Sequence, residues 1–83
     1  MGGDAERLRW RSRRGMRELD AALDAYWQRL DRDGTQLGAA DIEALDRLLN
    51  LPDPELYGYL LGRGVPADPA IAELVEKIRA ARA

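Results

Sequence analysis

The residues able to do chemistry in this chain crowd into its first quarter. Arg7, Arg9, Arg11, Arg13, Arg14 and Arg17 all precede Glu18, with Trp10 and Gly15 set among them. Arginine carries a rigid planar fork of N–H donors that suits carboxylates, phosphates and backbone carbonyls. Glu18 stands four residues after Arg14, so a helical turn would put both on one face and let the carboxylate orient the guanidinium. Gly15 between them suits a bend and lets another backbone approach closely. This is the chemistry of recognition, not of bond making. The 83-residue chain has no histidine and no cysteine. It therefore lacks the usual base near neutral pH, the commonest metal ligand and any thiol nucleophile or thiolate ligand. The carboxylates, tyrosines and hydroxyls that remain form no catalytic or metal-ligating pattern, so the chain is expected not to be an enzyme.

Each of these residues also has a plainer reading. Gly15 could be a simple helix C-cap. Arg14 and Glu18 could be a surface pair worth about 0.3–0.5 kcal/mol. Trp10 could anchor an interface or pack partly buried on a short helix. Tyr26 and Trp27 lie on a clean apolar stripe and read as core, whereas Tyr57 and Tyr59 read as packing with a wet hydroxyl. The acidic residues after Asp20 read as a solvated surface. An arginine cluster can also neutralise phosphates, and Trp10 could stack on a base. Charge argues against that use. Residues 1–17 carry six arginines against Asp4 and Glu6, a local +4, but the remainder carries −6 and the whole chain −2, with a pI near 5.1. A nucleic-acid-binding domain is normally basic overall.

The elements that must position these residues are helices. Leu19, Leu23, Tyr26, Trp27 and Leu30 repeat with α-helical spacing, and Asp33-Gly34 signals a turn after an end near Asp31. Ile42, Leu45, Leu48 and Leu49 mark a third segment, with Gly38 as its N-cap and Asp41 suited to its N-terminus. Two segments open on Asp-Pro, at Asp53-Pro54 and Asp68-Pro69, where aspartate can cap and proline loses no helix bond. Their apolar faces are Leu56, Tyr57, Leu60 and Leu61, then Ile71, Leu74, Val75 and Ile78. The first segment alternates arginine with Leu8, Trp10 and Ser12 and imitates a strand. A lone strand would have nothing to pair with, so residues 5–14 are predicted helical, with Leu8 and Met16 as core contributors. The expectation is an all-α, single-domain, compact five-helix bundle over residues 1–83, with residues 1–4 a flexible N-terminus. No apolar run approaches the roughly 20 residues of a membrane span. No signal peptide is read at the N-terminus, and a monomeric cytoplasmic protein is expected.

Residues 13–20 read Arg-Arg-Gly-Met-Arg-Glu-Leu-Asp. Here the chain resembles the SdhE family, the succinate dehydrogenase assembly factors, whose hallmark Arg-Gly-x-x-Glu is matched by Arg14, Gly15 and Glu18. The likeness extends to the lead-in through Trp10, to the Leu-Pro-Asp-Pro-Glu-Leu-Tyr stretch around Asp53, and to Gly-x-Pro-Ala-Asp from Gly64 to Asp68. It covers about Arg7 to Ile78. Tyr59 departs from it, where many members carry tryptophan. The resemblance implies a five-helix bundle that binds the flavoprotein subunit of succinate dehydrogenase and, in some bacteria, of fumarate reductase. It implies that the helper promotes covalent attachment of FAD to a histidine of that partner and keeps no cofactor itself. On this reading Arg14, Gly15 and Glu18 form the centre of a partner interface, with Trp10, Arg11, Arg13 and Arg17 around it. No contact with nucleic acid and no membrane insertion are expected. An antitoxin-like or other regulatory protein-binding role is the alternative, followed by the nucleic-acid reading of Arg7–Arg17.

Overall fold

Five helices build the chain in the computed structural model, which describes residues 3–82: α1 (Gly3–Arg11), α2 (Arg17–Asp33), α3 (Ala39–Leu49), α4 (Asp53–Leu60) and α5 (Pro69–Arg82). No strand occurs among the described residues. The all-α bundle expected from the sequence is the observed architecture. Helix α5 is its spine, packed against α2, α3 and α4, while α1 lies on α3. The Cα radius of gyration is 11.7 Å, as expected for a compact chain of this length, about 12 Å.

The apolar stripes meet in one core. Leu19, Leu23, Leu45, Leu48, Leu56, Leu74 and Ile78 are fully buried, and Leu8, Tyr26, Trp27, Leu49 and Val75 join them. The Tyr26 and Trp27 rings meet edge to face, with centroids 6.1 Å apart. Helices α1, α3 and α4 are too short to be stable alone in water, so the shared core is what holds them.

Helix ends follow local chemistry, with some differences from the sequence reading. Helix α2 runs two residues past Asp31 and stops at a left-handed Gly34 (φ 67°), where the Thr35 N–H donates to Leu30 O at 3.0 Å. That is the paired closure glycine permits at a C-terminus. Gly38 caps α3 as expected, and the Asp68 carboxylate accepts the Ala70 N–H at 2.9 Å to cap α5. Asp53 does not cap α4. Pro52 takes that position, and the Asp53 carboxylate accepts from Arg14 instead. Leu61, expected on the apolar face, falls just past the end of α4 and is 44% exposed. Of the supposed flexible stretch, Gly3 and Asp4 open α1, and residues 1 and 2 lie outside the described residues.

Helix α1 stops at Arg11, three residues short of the predicted end. The reason is competition for backbone donors. Continuing the helix would need the Arg14 and Gly15 N–H groups to bond back to α1. They donate instead to the two carboxylate oxygens of Asp20, at 2.8 and 3.2 Å. The freed Arg11 carbonyl accepts from Arg14 Nη1 at 3.2 Å. Residues 13–16 thus form an open linker rather than a helical turn.

Candidate functional site

The linker between α1 and α2 turns sharply at Gly15, whose φ is +82°. L-residues other than glycine rarely adopt this conformation. Gly15 is exposed, and a Cβ built on it would meet nothing within 4 Å. The corner therefore faces open space and can be reached by another molecule.

The corner is braced from behind. Asp20, in the first turns of α2, holds the Arg14 and Gly15 N–H groups. Arg14 turns inward, its side chain only 18% exposed. Its Nε donates to Asp53 Oδ1 at 2.8 Å, its Nη1 to Leu49 O at 2.9 Å and its Nη2 to Leu51 O at 3.2 Å. One guanidinium so ties the linker to the end of α3 and the start of α4. The fork expected to grip a partner is committed within the chain. The expected orientation of Arg14 by Glu18 is also absent, because the backbone between them is not a helical turn. Glu18 is exposed and pairs with Arg82 of α5, at 3.2 Å. Arg11 likewise turns away from the corner. It is half-buried, with Nη2 donating to Asn50 Oδ1 at 2.7 Å and Nη1 paired to Asp46.

Three of the expected residues, Trp10, Arg13 and Arg17, are exposed. Trp10 is 67% exposed. The Arg13 guanidinium lies over its ring, with Cζ 5.2 Å from the centroid. Arg17 is exposed at the first position of α2. Among the described residues neither Arg13 nor Arg17 takes part in a salt bridge, whereas Arg7, Arg9, Arg11 and Arg14 are paired to Asp4, Asp31, Asp46 and Asp53. The basic head read from the sequence is therefore largely neutralised from within. That weakens the phosphate-binding alternative, which needs a field of free cations.

Two structural residues were not singled out by the sequence reading. Ser12 is buried and links two helices: its hydroxyl donates to Leu8 O at 2.8 Å and accepts from Trp27 Nε1 at 2.9 Å. Asp20 carries no role in the sequence reading beyond closing the Leu-Asp pair that follows Arg-Gly-x-x-Glu, and that place was its only signal. Arg9 completes the support of α1. It stacks on Trp27 with Cζ 4.8 Å from the ring and grips Asp31 with two hydrogen bonds, at 3.0 and 2.9 Å. These bonds hold the Asp31 carboxyl below its ordinary range and push the Arg9 guanidinium up.

The corner thus combines an exposed, fixed bend, an outward tryptophan and two arginines with no acidic partner among the described residues. Comparison with known proteins identifies the class. The family described as the flavinator of succinate dehydrogenase matches residues 6–82. The chain belongs to this family of FAD assembly factors. Similar relatives include the FAD assembly factor SdhE of Coxiella burnetii, 35% identical over 90% of this chain and 88% of the relative. The protein of the same name from Xylella fastidiosa is 40% identical over 93% of this chain and 76% of its own. That of Methylococcus capsulatus is 40% identical over 89% and 86%. No solved structure matches the chain significantly. The family match takes in all five helices except the first residues of α1, so the corner, its braces and the core lie within it. No helix among the described residues is long and apolar enough to cross a membrane.

Proposed function

We propose that this chain binds the flavoprotein subunit of succinate dehydrogenase through the Gly15 corner and promotes covalent attachment of FAD to that subunit. The observation that carries the reading is the accessibility of the corner in a chain of this family: Gly15 stands open to solvent while Arg14 and Asp20 hold its backbone in place. A surface fixed in advance loses little conformational freedom when it docks.

The chain acts as a helper and not as an enzyme. It has no imidazole to serve as base or as flavin acceptor. The reacting groups belong to the partner, and the chain keeps no flavin. Docking favours the partner conformation in which attachment proceeds, which is a shift of population and requires no acid or base from the helper. Glu18 contributes at the edge of the corner. Its pair with Arg82 is exposed, with side chains 57% and 47% accessible. Such pairs contribute little to stability, so exchange of Arg82 for a donor on the partner costs little. The free chain acts as a monomer in the cytoplasm, and the flavoprotein of fumarate reductase is a second client.

The test is complementation of a strain lacking the gene, read by in-gel flavin fluorescence of the flavoprotein. Gly15→Arg and Glu18→Ala are expected to lose promotion of flavinylation while staying folded. A Cβ at position 15 meets nothing within 4 Å, so a side chain there starts out from the open face where the partner would sit. Its backbone strain is about 1–2 kcal/mol. Normal covalent FAD with either variant refutes the role of the corner.

A further inference from the structure

We infer that the Gly15 corner recognises an acidic segment of the flavoprotein subunit, through Arg13 and Arg17. The inference deepens the proposed function and rests on it. Four of the six arginines before Glu18 already hold an aspartate of this chain. Arg13 and Arg17, two residues to either side of Gly15, are exposed and have no acidic partner among the described residues. Arg63 also lacks an acidic partner among the described residues, but only at the bend do two such arginines flank one point of the chain.

The neighbours of these two side chains sharpen the assignment. The Arg13 guanidinium lies over the exposed Trp10 ring, 5.2 Å from its centroid, which restrains the side chain. The planar fork of arginine matches a carboxylate bidentately. Glu18, next to Arg17 on α2, pairs with Arg82, and Asp20 has both oxygens committed to the Arg14 and Gly15 N–H groups. Asp24, a turn further on, accepts from Gln28 at 2.7 Å. None of the three is paired with Arg13 or Arg17. The chain as a whole carries −2, so an acidic partner is repelled by most of the surface and admitted at the corner. Such an arrangement orients the encounter and selects against other approaches. A polynucleotide fits less well, because two cations at one corner of an acidic body neutralise few phosphates.

The experiment measures binding of the full chain to the purified flavoprotein subunit without its covalent flavin, at ~0.01 M and ~0.1 M salt. Over that range the screening length falls from about 30 to about 10 Å. Wild type is expected to lose affinity roughly tenfold across it. The Arg13→Gln, Arg17→Gln double variant is expected to bind about tenfold more weakly at low salt, with a flattened salt dependence. The Arg13→Lys, Arg17→Lys variant should keep the salt dependence. All three proteins should melt within a few degrees of one another, because the exchanged side chains hold no acid among the described residues and Arg13 makes only an exposed contact with Trp10. Salt-insensitive wild-type binding together with an unweakened glutamine variant overturns the inference and leaves the proposed function standing. Binding of free FAD or of a single-stranded RNA oligonucleotide that the glutamine variant loses also overturns it. No binding of the wild type to the flavoprotein refutes the proposed function and this inference with it.

Discussion

Replacing Arg14 by alanine separates the internal role of this arginine from a role in docking. In the structure the side chain makes a charge-assisted bond to Asp53 and bonds to the carbonyls of Arg11, Leu49 and Leu51. A hydrogen bond to a charged group contributes about 1.5–3 kcal/mol, and water can re-enter to satisfy the carbonyls only in part. Asp53 is itself only 35% accessible, so its carboxylate regains incomplete hydration once the partner is gone. The expected loss is about 2–3 kcal/mol. For a domain of this size each kcal/mol lowers the melting temperature by about 4–8 °C, which gives a fall of roughly 10–20 °C. Thermal melting followed by circular dichroism reads it directly. Arg14→Lys should fall between, because lysine keeps the charge but cannot reach several acceptors with a planar fork. At a temperature where the alanine variant is still folded, its affinity for the flavoprotein should fall far less than that of the Arg13, Arg17 double variant. A melting point within about 2 °C of the parent, combined with lost binding, would refute this account and return Arg14 to the partner surface.

Other perturbations address the core and its polar link. Leu45→Ala should cost about 2–5 kcal/mol in chemical denaturation, since the side chain is fully buried; a shift of only a degree or two in melting temperature would contradict it. Ser12→Ala removes the acceptor of Trp27 Nε1 in a buried setting and should cost about 1–3 kcal/mol, with a change in the near-ultraviolet signal of the indole. The phenol of Tyr26 is pushed up to about 12, first by burial and then by Asp41. Its neutral form is favoured by the fold, so that stability is whole below the ordinary tyrosine value of 10.0 and is lost as pH rises towards about 12. Tyr26→Phe should remove this part of the alkaline transition, and an unchanged alkaline limb in the variant would contradict the assignment. The Asp31 carboxyl is held low, so the stability from its pair with Arg9 is present above the ordinary aspartate value of 3.8 and is lost as pH falls through the lower folded value. Arg9→Gln should flatten the acid limb of a pH–stability curve.

The helices and the core were legible because each carries a pattern tied to one period. The stripe through Leu19, Leu23, Tyr26 and Trp27 could not be buried by any other regular structure, and Asp68-Pro69 marked the start of α5 by cap chemistry alone. The bend at Gly15 was legible as well, since glycine between two helical stretches suits a sharp turn. The direction in which each arginine points was not. Arg11, Arg13 and Arg14 are alike in sequence, and what sorts them is tertiary: Asp46 and Asn50 for the first, Trp10 for the second, and Asp53 with the end of α3 for the third. The early end of α1 was hidden for the same reason, because the competing acceptor, Asp20, lies across the linker. Ser12 looked like one more polar position in an alternating run, and only the approach of Trp27 gives its hydroxyl a use.

The attachment of α1 sets where this bundle opens first. Leu8 is the only buried side chain of that helix, Ala5 packs partly buried against the core, and the remaining grip on α2 and α3 is polar, through Arg9, Arg11 and the residues just after it. Ion pairs at this depth are loosened by added electrolyte, whereas the contacts among α2, α3 and α5 are not. Nine residues detached from their support do not stay helical. Amide protons of α1 should therefore exchange with solvent ahead of those in α5, and a protease would cut there first, leaving a four-helix remnant that still contains Gly15 but no longer holds its front edge in place.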